Sequence, residues 1–394
     1  MHSARGQPQR RAADSHPPAG GGSLREMTPP RRLALLLCPL ACGSVDADTG
    51  GLSTTGGGST TGASDSSGAP TSTGDAGSTG DPTGDPTTGD VDPCTASPQA
   101  LADCVDPAAY TSDLQFIADI RTPGSPHWQA VQDLCADRLT ELGYEVELHK
   151  YGTGINVVGR RVGAALPDEI VLVAAHYDHI AACKGADDNA TGVAATLEIA
   201  RMLARPAFDR TVMIACWDEE ELGLKGSEAF VPLIAAAKTD IVVNFNFDAV
   251  GFRSSEPNTQ EVPQGFDLVF NEVYTALEAD QFRGDFIAVI TNSLAKGHAL
   301  AYAAAADRIG LPQYVIALPA GQETSDLFGD LRRSDHASFW DAGYPAVFLT
   351  DTAEFRNPDY HCMGGPDEVS DLDLDFAADV TRATVEASAV ALGM

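Results

Sequence analysis

The sequence predicts an α/β domain, a single globular unit with a mixed, largely parallel central sheet flanked by helices. Three observations lead there. Ile170-Val-Leu-Val-Ala-Ala175 is a continuous apolar run of strand length, as expected for a strand covered on both faces. Runs of this kind alternate with helix-period segments along the rest of the chain. The polar residues best suited to chemistry follow directly on the strands, where open parallel sheets place their ligand sites.

Taken in order, Arg121-Thr-Pro-Gly-Ser-Pro126 is turn-rich, and His127 to Leu142 carries Val131, Leu134, Leu139 and Leu142 at helical spacing before Gly143. Tyr144 to Tyr151 alternates as a strand, Asn156 to Val162 is a second, and Ile170 to Ala175 a third. Asn189 to Leu203 reads as a helix opening on small residues, followed by a strand from Thr211 to Trp217, a helix from Lys225 to Ala237 and a strand from Ile241 to Phe247. Beyond these the pattern predicts a helix near Phe266–Leu277, a strand Phe286–Ile290 and a helix Gly297–Ile309. Strands Tyr314–Leu318 and Ala346–Leu349 and a helix after Asp371 complete it.

This domain, residues 94–394, is preceded by two segments of different character. In residues 1–42, Met27 is followed by Arg31-Arg32, an apolar run Leu33 to Leu40, and Ala41-Cys42-Gly43. A basic start, a short apolar core and a small residue before a break describe an export signal starting at Met27. The run is too short to remain as a spanning helix. Cys42 after Ala41 resembles a bacterial lipoprotein attachment site, which would tether the protein to a membrane through a lipid; plain cleavage and secretion is the alternative. Residues 43–93 are Gly, Ser, Thr, Asp and Pro with Thr-Gly-Asp units. They cannot bury enough surface to offset their ordering entropy and are expected to form a disordered stalk.

The formal net charge of −31 argues against nucleic acid as a partner, since phosphate binding needs a basic surface. An exported location permits disulfides. Cys94 and Cys104 are near enough in sequence to pair and tie down the domain entrance, while Cys216, inside a strand, reads as a buried thiol.

The groups at the strand ends are carboxylates and imidazoles. His176-Tyr-Asp178-His179 follows the strand ending at Ala175, Asp218-Glu219-Glu220-Glu221 the one ending at Trp217, and Asp248 the one ending at Phe247. Asp351 and then Tyr360-His361 follow the last strand, and Gly185-Ala-Asp187-Asp188-Asn189 sits at a helix mouth. Such a gathering calls for a divalent cation to offset it, and zinc accepts both ligand types. Acids also suit a helix start, so Asp218 and Glu219 are expected to have only that role.

In combination, Ala175-His-Tyr-Asp-His179, Gly185-Ala-Asp-Asp-Asn-Ala-Thr-Gly192, Glu220-Glu-Leu-Gly-Leu-Lys-Gly-Ser227, Asn246-Phe-Asp248 and Ser334-Asp-His-Ala-Ser-Phe339 resemble the co-catalytic zinc aminopeptidase family, whose members include bacterial leucyl aminopeptidases, glutamate carboxypeptidase II and glutaminyl cyclases. The resemblance runs from about Asp106 to the C-terminus. It implies a zinc-exopeptidase-like fold, two zinc ions and a peptide substrate. His176 and Asp248 would bind one ion and Glu221 and His361 the other, with Asp188 shared. Asp178 would orient His176. Glu220 would be the general base toward a water acidified by the metals, and Tyr360 would stabilise the oxyanion. His179, Asp335 and His336 stay outside this catalytic set. The chain departs from the family pattern after His361, where Cys362-Met-Gly-Gly-Pro-Asp-Glu368 replaces the usual Thr-Pro and acid. Cys183 and Cys362 both fall beside the implied metals, so a Cys183–Cys362 disulfide is expected, with a zinc–thiolate bond as the alternative.

The activity expected is hydrolysis by an exopeptidase, an aminopeptidase first. Carboxypeptidase or glutaminyl cyclase-type chemistry on the same fold, or a binding domain without activity, are the alternatives. Arg253, Arg332, Arg333 and Asp351 are the candidates for recognising a peptide terminus.

Overall fold

The computed structural model describes residues 92–394. The segment expected to be an export signal and, apart from Asp92 and Pro93, the low-complexity stretch lie outside those residues. The strands are β1 Glu145–Tyr151, β2 Gly154–Arg161, β3 Leu166–His176, β4 Arg210–Trp217, β5 Asp240–Phe247, β6 Ile287–Thr291, β7 Gln313–Ala317 and β8 Ala346–Thr350. They form one sheet in the order β1-β2-β4-β3-β5-β8-β6-β7. The central β4, β3, β5 and β8 are parallel. β2 joins β4, and β1 joins β2, in antiparallel fashion. β6 is antiparallel to β8 and parallel to β7.

Residues 170–176 of β3 are all buried, because helices cover both faces. Side chains alternate across a strand, so Val171, Val173 and Ala175 join Val131, Leu139, Val193, Leu197, Tyr302 and Val380 in one layer. Leu172, Ala174, Met213 and Trp217 meet Phe230, Phe339 and Trp340 in the other. Each buried Val or Leu contributes about 1.5–3 kcal/mol.

Most predicted elements are present within a few residues of their expected ends. The helix expected near Phe266–Leu277 is two, Phe266–Val269 and Asn271–Ala279, because Phe270 leaves helical geometry (φ −114°, ψ 45°). Two early helices, Pro98–Asp103 and Pro107–Ile117, add to the predicted elements; each opens on a capping side chain (Ser97, Asp106) followed by proline. Among the described residues no helix is long and apolar enough to cross a membrane.

Strand register prepares the site. Ala175 pairs with Phe247 and His176 with Trp217, while Phe247 pairs with Leu349. The residues emerging at the carboxyl edge are therefore His176, Asp218, Asp248 and, through the β8 loop, Tyr360 and His361.

Candidate metal centre

Two groups of metal-ligating side chains meet at this edge: His176, Asp188 and Asp248 form one, and His179, Asp188 and Glu221 the other. Asp188 belongs to both. Its Oδ1 lies 3.4 Å from His176 Nε2, and its Oδ2 lies 2.9 Å from His361 Nε2. His176 Nε2 also faces Asp248 Oδ2 at 3.6 Å. On the other side Glu221 Oε2 is 3.2 Å from His361 Nε2, and Glu221 Oε1 is 2.8 Å from His179 Nδ1. All five residues that the sequence proposes as ligands are brought together.

These approaches lack hydrogen-bond alignment. His176 Nε2, His179 Nδ1, Asp188 Oδ1, Glu221 Oε1 and His361 Nε2 are buried without a hydrogen-bond partner. An orphaned buried polar atom costs about 1–3 kcal/mol, so so many around one point fit cations held between them, and the mixed nitrogen and carboxylate set suits zinc.

Asp188 sits where it does because of its turn. Gly185 takes φ +57°, and a Cβ there would stand 2.2 Å from the Asp188 carbonyl oxygen and 2.5 Å from the His179 ring. Asp187, the other acid of the pair, turns away: its carboxylate accepts from Gly251 N and Asn357 Nδ2, both at 2.9 Å.

Asp178, expected to orient His176, stands with its Oδ1 3.5 Å and its carbonyl oxygen 3.3 Å from His176 Nδ1. The Asp178 carboxylate also accepts the backbone N–H groups of Glu220 at 2.9 Å and Glu221 at 3.2 Å. Burial raises the Glu220 carboxyl well above the ordinary glutamate range; Asp248, Asp335 and Glu221 add to the rise and His176 opposes it. Burial, then Asp188, Asp248 and Glu221, likewise raise the Tyr360 phenol, which stays protonated. Its ring stacks on that of His361 at 4.0 Å.

The acids before Glu220 are not a solvated helix start. Asp218 and Glu219 are buried, and Asp218 accepts from Trp128 Nε1 at 2.7 Å and Ile155 N at 2.8 Å, so it anchors the turn to the sheet. His179, kept outside the catalytic set by sequence, is fully buried against Glu221. The signal for it was a second histidine three residues after His176 at the end of a buried strand. Asp335 is buried with both oxygens unpartnered, and His336 donates to the Leu331 carbonyl at 3.0 Å and stacks on Phe348.

Cys183 and Cys362 form a disulfide, so neither sulfur is a thiolate ligand; Cys94 pairs with Cys104, and Cys135 and Cys216 are free and buried. Beside Asp248 and Tyr360 opens an apolar pocket, partly open to solvent, walled by Phe266, Phe286, Ile290, Ile316 and Phe348. Arg333 and Glu354 stand at it as an ion pair. Arg332 pairs with Asp341, Arg253 with Asp373, and Asp351 is buried accepting from Phe252 N.

Residues 156–388 match the model described as Peptidase family M28. YfbL of Escherichia coli (strain K12) is 28% identical over 212 residues, covering 50% of this chain and 59% of its own length. Aminopeptidase YwaD of Bacillus subtilis (strain 168) is 37% identical over 102 residues, 25% of this chain and 22% of its own. The chain thus matches less than two thirds of the length of either relative. Among solved structures, the LapA aminopeptidase of Legionella pneumophila superposes with TM-score 0.57 at 18% identity, over 75% of this chain and 74% of that one. That likeness is one of fold.

Proposed function

The chain belongs to peptidase family M28, and from that premise we propose that it is an exported zinc-dependent exopeptidase, specifically an aminopeptidase. The observation that carries the reading is the position of Asp188 between His176 and His361, with unpartnered ligand atoms on both sides. His176, Asp188 and Asp248 would hold one ion; Asp188, Glu221 and His361 would hold the second, with His179 orienting Glu221. When bound, a zinc pair supplies water acidification and polarisation of the scissile carbonyl.

Glu220, its carboxyl raised by burial, takes the proton of the attacking water and passes it to the leaving amine. Tyr360 donates its phenolic hydrogen to the developing oxyanion. Asp178 holds His176 and the Glu220 turn in one frame. The apolar cavity beside Asp248 receives the side chain of the residue being released. Arg333, the guanidinium at that cavity, is already paired with Glu354, which weighs against capture of a substrate carboxylate and so against a carboxypeptidase. A ligand set for two ions favours hydrolysis over single-zinc cyclase chemistry. The export signal, the stalk and a lipid on Cys42 would place the enzyme at the cell surface.

The test is metal content with cleavage of free-amine and N-blocked peptides, before and after chelation. About two zincs per chain and cleavage of free-amine substrates alone are expected. No bound metal and no hydrolysis would move a binding domain to first place.

A further inference from the structure

Arg121 lies ahead of the residues matched by the family model, in a stretch the sequence marks only as a turn. Its side chain is completely buried. The guanidinium collects backbone carbonyls of the turn that carries Asp188: Nη1 donates to Lys184 O, and Nη2 to Gly185 O at 2.7 Å and Asp188 O at 3.0 Å. The Arg121 carbonyl in turn accepts from His179 N at 3.3 Å. From the opposite side the carboxylate of Asp367 accepts the N–H of Asp187 at 2.9 Å and of Asp188 at 3.3 Å. One peptide turn thus has its carbonyls gripped by a buried cation and its amides by a buried anion.

Buried carbonyls and amides need partners, and this turn opens on Gly185 without a side-chain cap. A planar fork with several donors can reach divergent carbonyls; a lysine ammonium, whose donors all sit on one nitrogen, cannot reproduce that span. Both grips close on the residue that the two metal groups share.

We propose that Arg121 and Asp367 are positioning residues, a two-sided clamp that sets the place of Asp188 and so governs the affinity of both metal positions together. This rests on the reading of Asp188 as the shared ligand. The clamp touches neither the cavity nor Glu220, so its loss acts on metal retention and leaves KM for the substrate side chain alone.

The experiment compares the full chain with Arg121→Lys and Asp367→Asn, using zinc alone against a competing chelator, and hydrogen exchange of residues 183–188 in the chelated protein. Each variant is expected to hold both ions more weakly by roughly 10–100-fold, as for other supports of metal ligands, with faster exchange in that turn. Asp248→Asn and His361→Ala should each weaken one position only. Either clamp variant with unchanged zinc affinity and unchanged turn exchange would overturn the proposal. If Arg121→Lys does not fold, Asp367→Asn decides from the amide side. A wild-type chain that takes up no zinc would sink the enzyme reading instead, and turn exchange alone would then decide whether the clamp exists.

Discussion

The carboxylate of Asp178 accepts the backbone N–H of Glu220 at 2.9 Å while standing 3.5 Å from His176 Nδ1. One acid just past β3 therefore stands between the His176 imidazole and the turn that follows β4. Asp178→Asn keeps an acceptor but removes the charge. It should weaken zinc retention by roughly 10–100-fold and lower kcat as well, because the Glu220 turn loosens. Chelator-driven zinc release, followed alongside steady-state rates, separates this from an effect on the imidazole alone, in which kcat at saturating zinc would recover fully.

Glu220→Gln should retain its metal and lose rate. The amide cannot accept the proton, so kcat should fall by roughly 10²–10⁴-fold with zinc content unchanged. Elemental analysis and kcat on one preparation check it; a variant that keeps its rate would assign the base to another group, with Asp335 the next acid to examine.

The bridge between Cys183 and Cys362 joins the loop before Asp188 to the residue after His361. Replacing both with serine should cost about 2–4 kcal/mol in urea unfolding. On the proposed two-ion site, it should also weaken the position formed by Glu221 and His361 before the one formed by His176 and Asp248. Zinc content after graded chelation reads the order; simultaneous loss would show that Lys184–Glu368, at 2.9 Å, and the Asp367 contacts suffice to hold His361.

Val262 lies on a loop at the cavity and is only partly buried, so a larger side chain there can project into the space without breaking the core. Val262→Phe should raise KM for peptides beginning with a large apolar residue by about 10-fold or more, and leave alanyl substrates nearly unchanged. A uniform change across the substrate panel would mean that the released side chain sits elsewhere.

Much of this site is legible in the sequence because its geometry is written in strand ends. His176, Glu221 and Asp248 each come shortly after a run of buried apolar residues, and parallel register brings them together. What escapes is set by long-range packing. His179 gives a histidine but no sign that it faces Glu221. Arg121 reads as one residue of a turn, since nothing local says its side chain will be swallowed by a loop 63 positions away. Asp367 is hidden by spacing: Met363-Gly-Gly365 lengthens the segment after His361, and a Cβ on Gly364 would come 2.5 Å from the Pro358 carbonyl oxygen. That tight turn returns the acid to the amides of Asp187 and Asp188 despite the altered motif. The buried Asp218 misleads for a related reason, as its partner Trp128 comes from a helix far earlier in the chain.

On the proposed tether, Asp92 and Cys94 would decide how a pull enters the domain. Asp92 is held by Arg205 at 2.8 Å, and Cys94 is bonded to Cys104 across the helix Pro98–Asp103. A pull on the chain ahead of Asp92 meets the ion pair first and then passes from Cys94 to Cys104 through a covalent bond, bypassing the intervening helix. Tension on a tether would therefore leave that helix folded in the oxidised protein and peel it away in the reduced one.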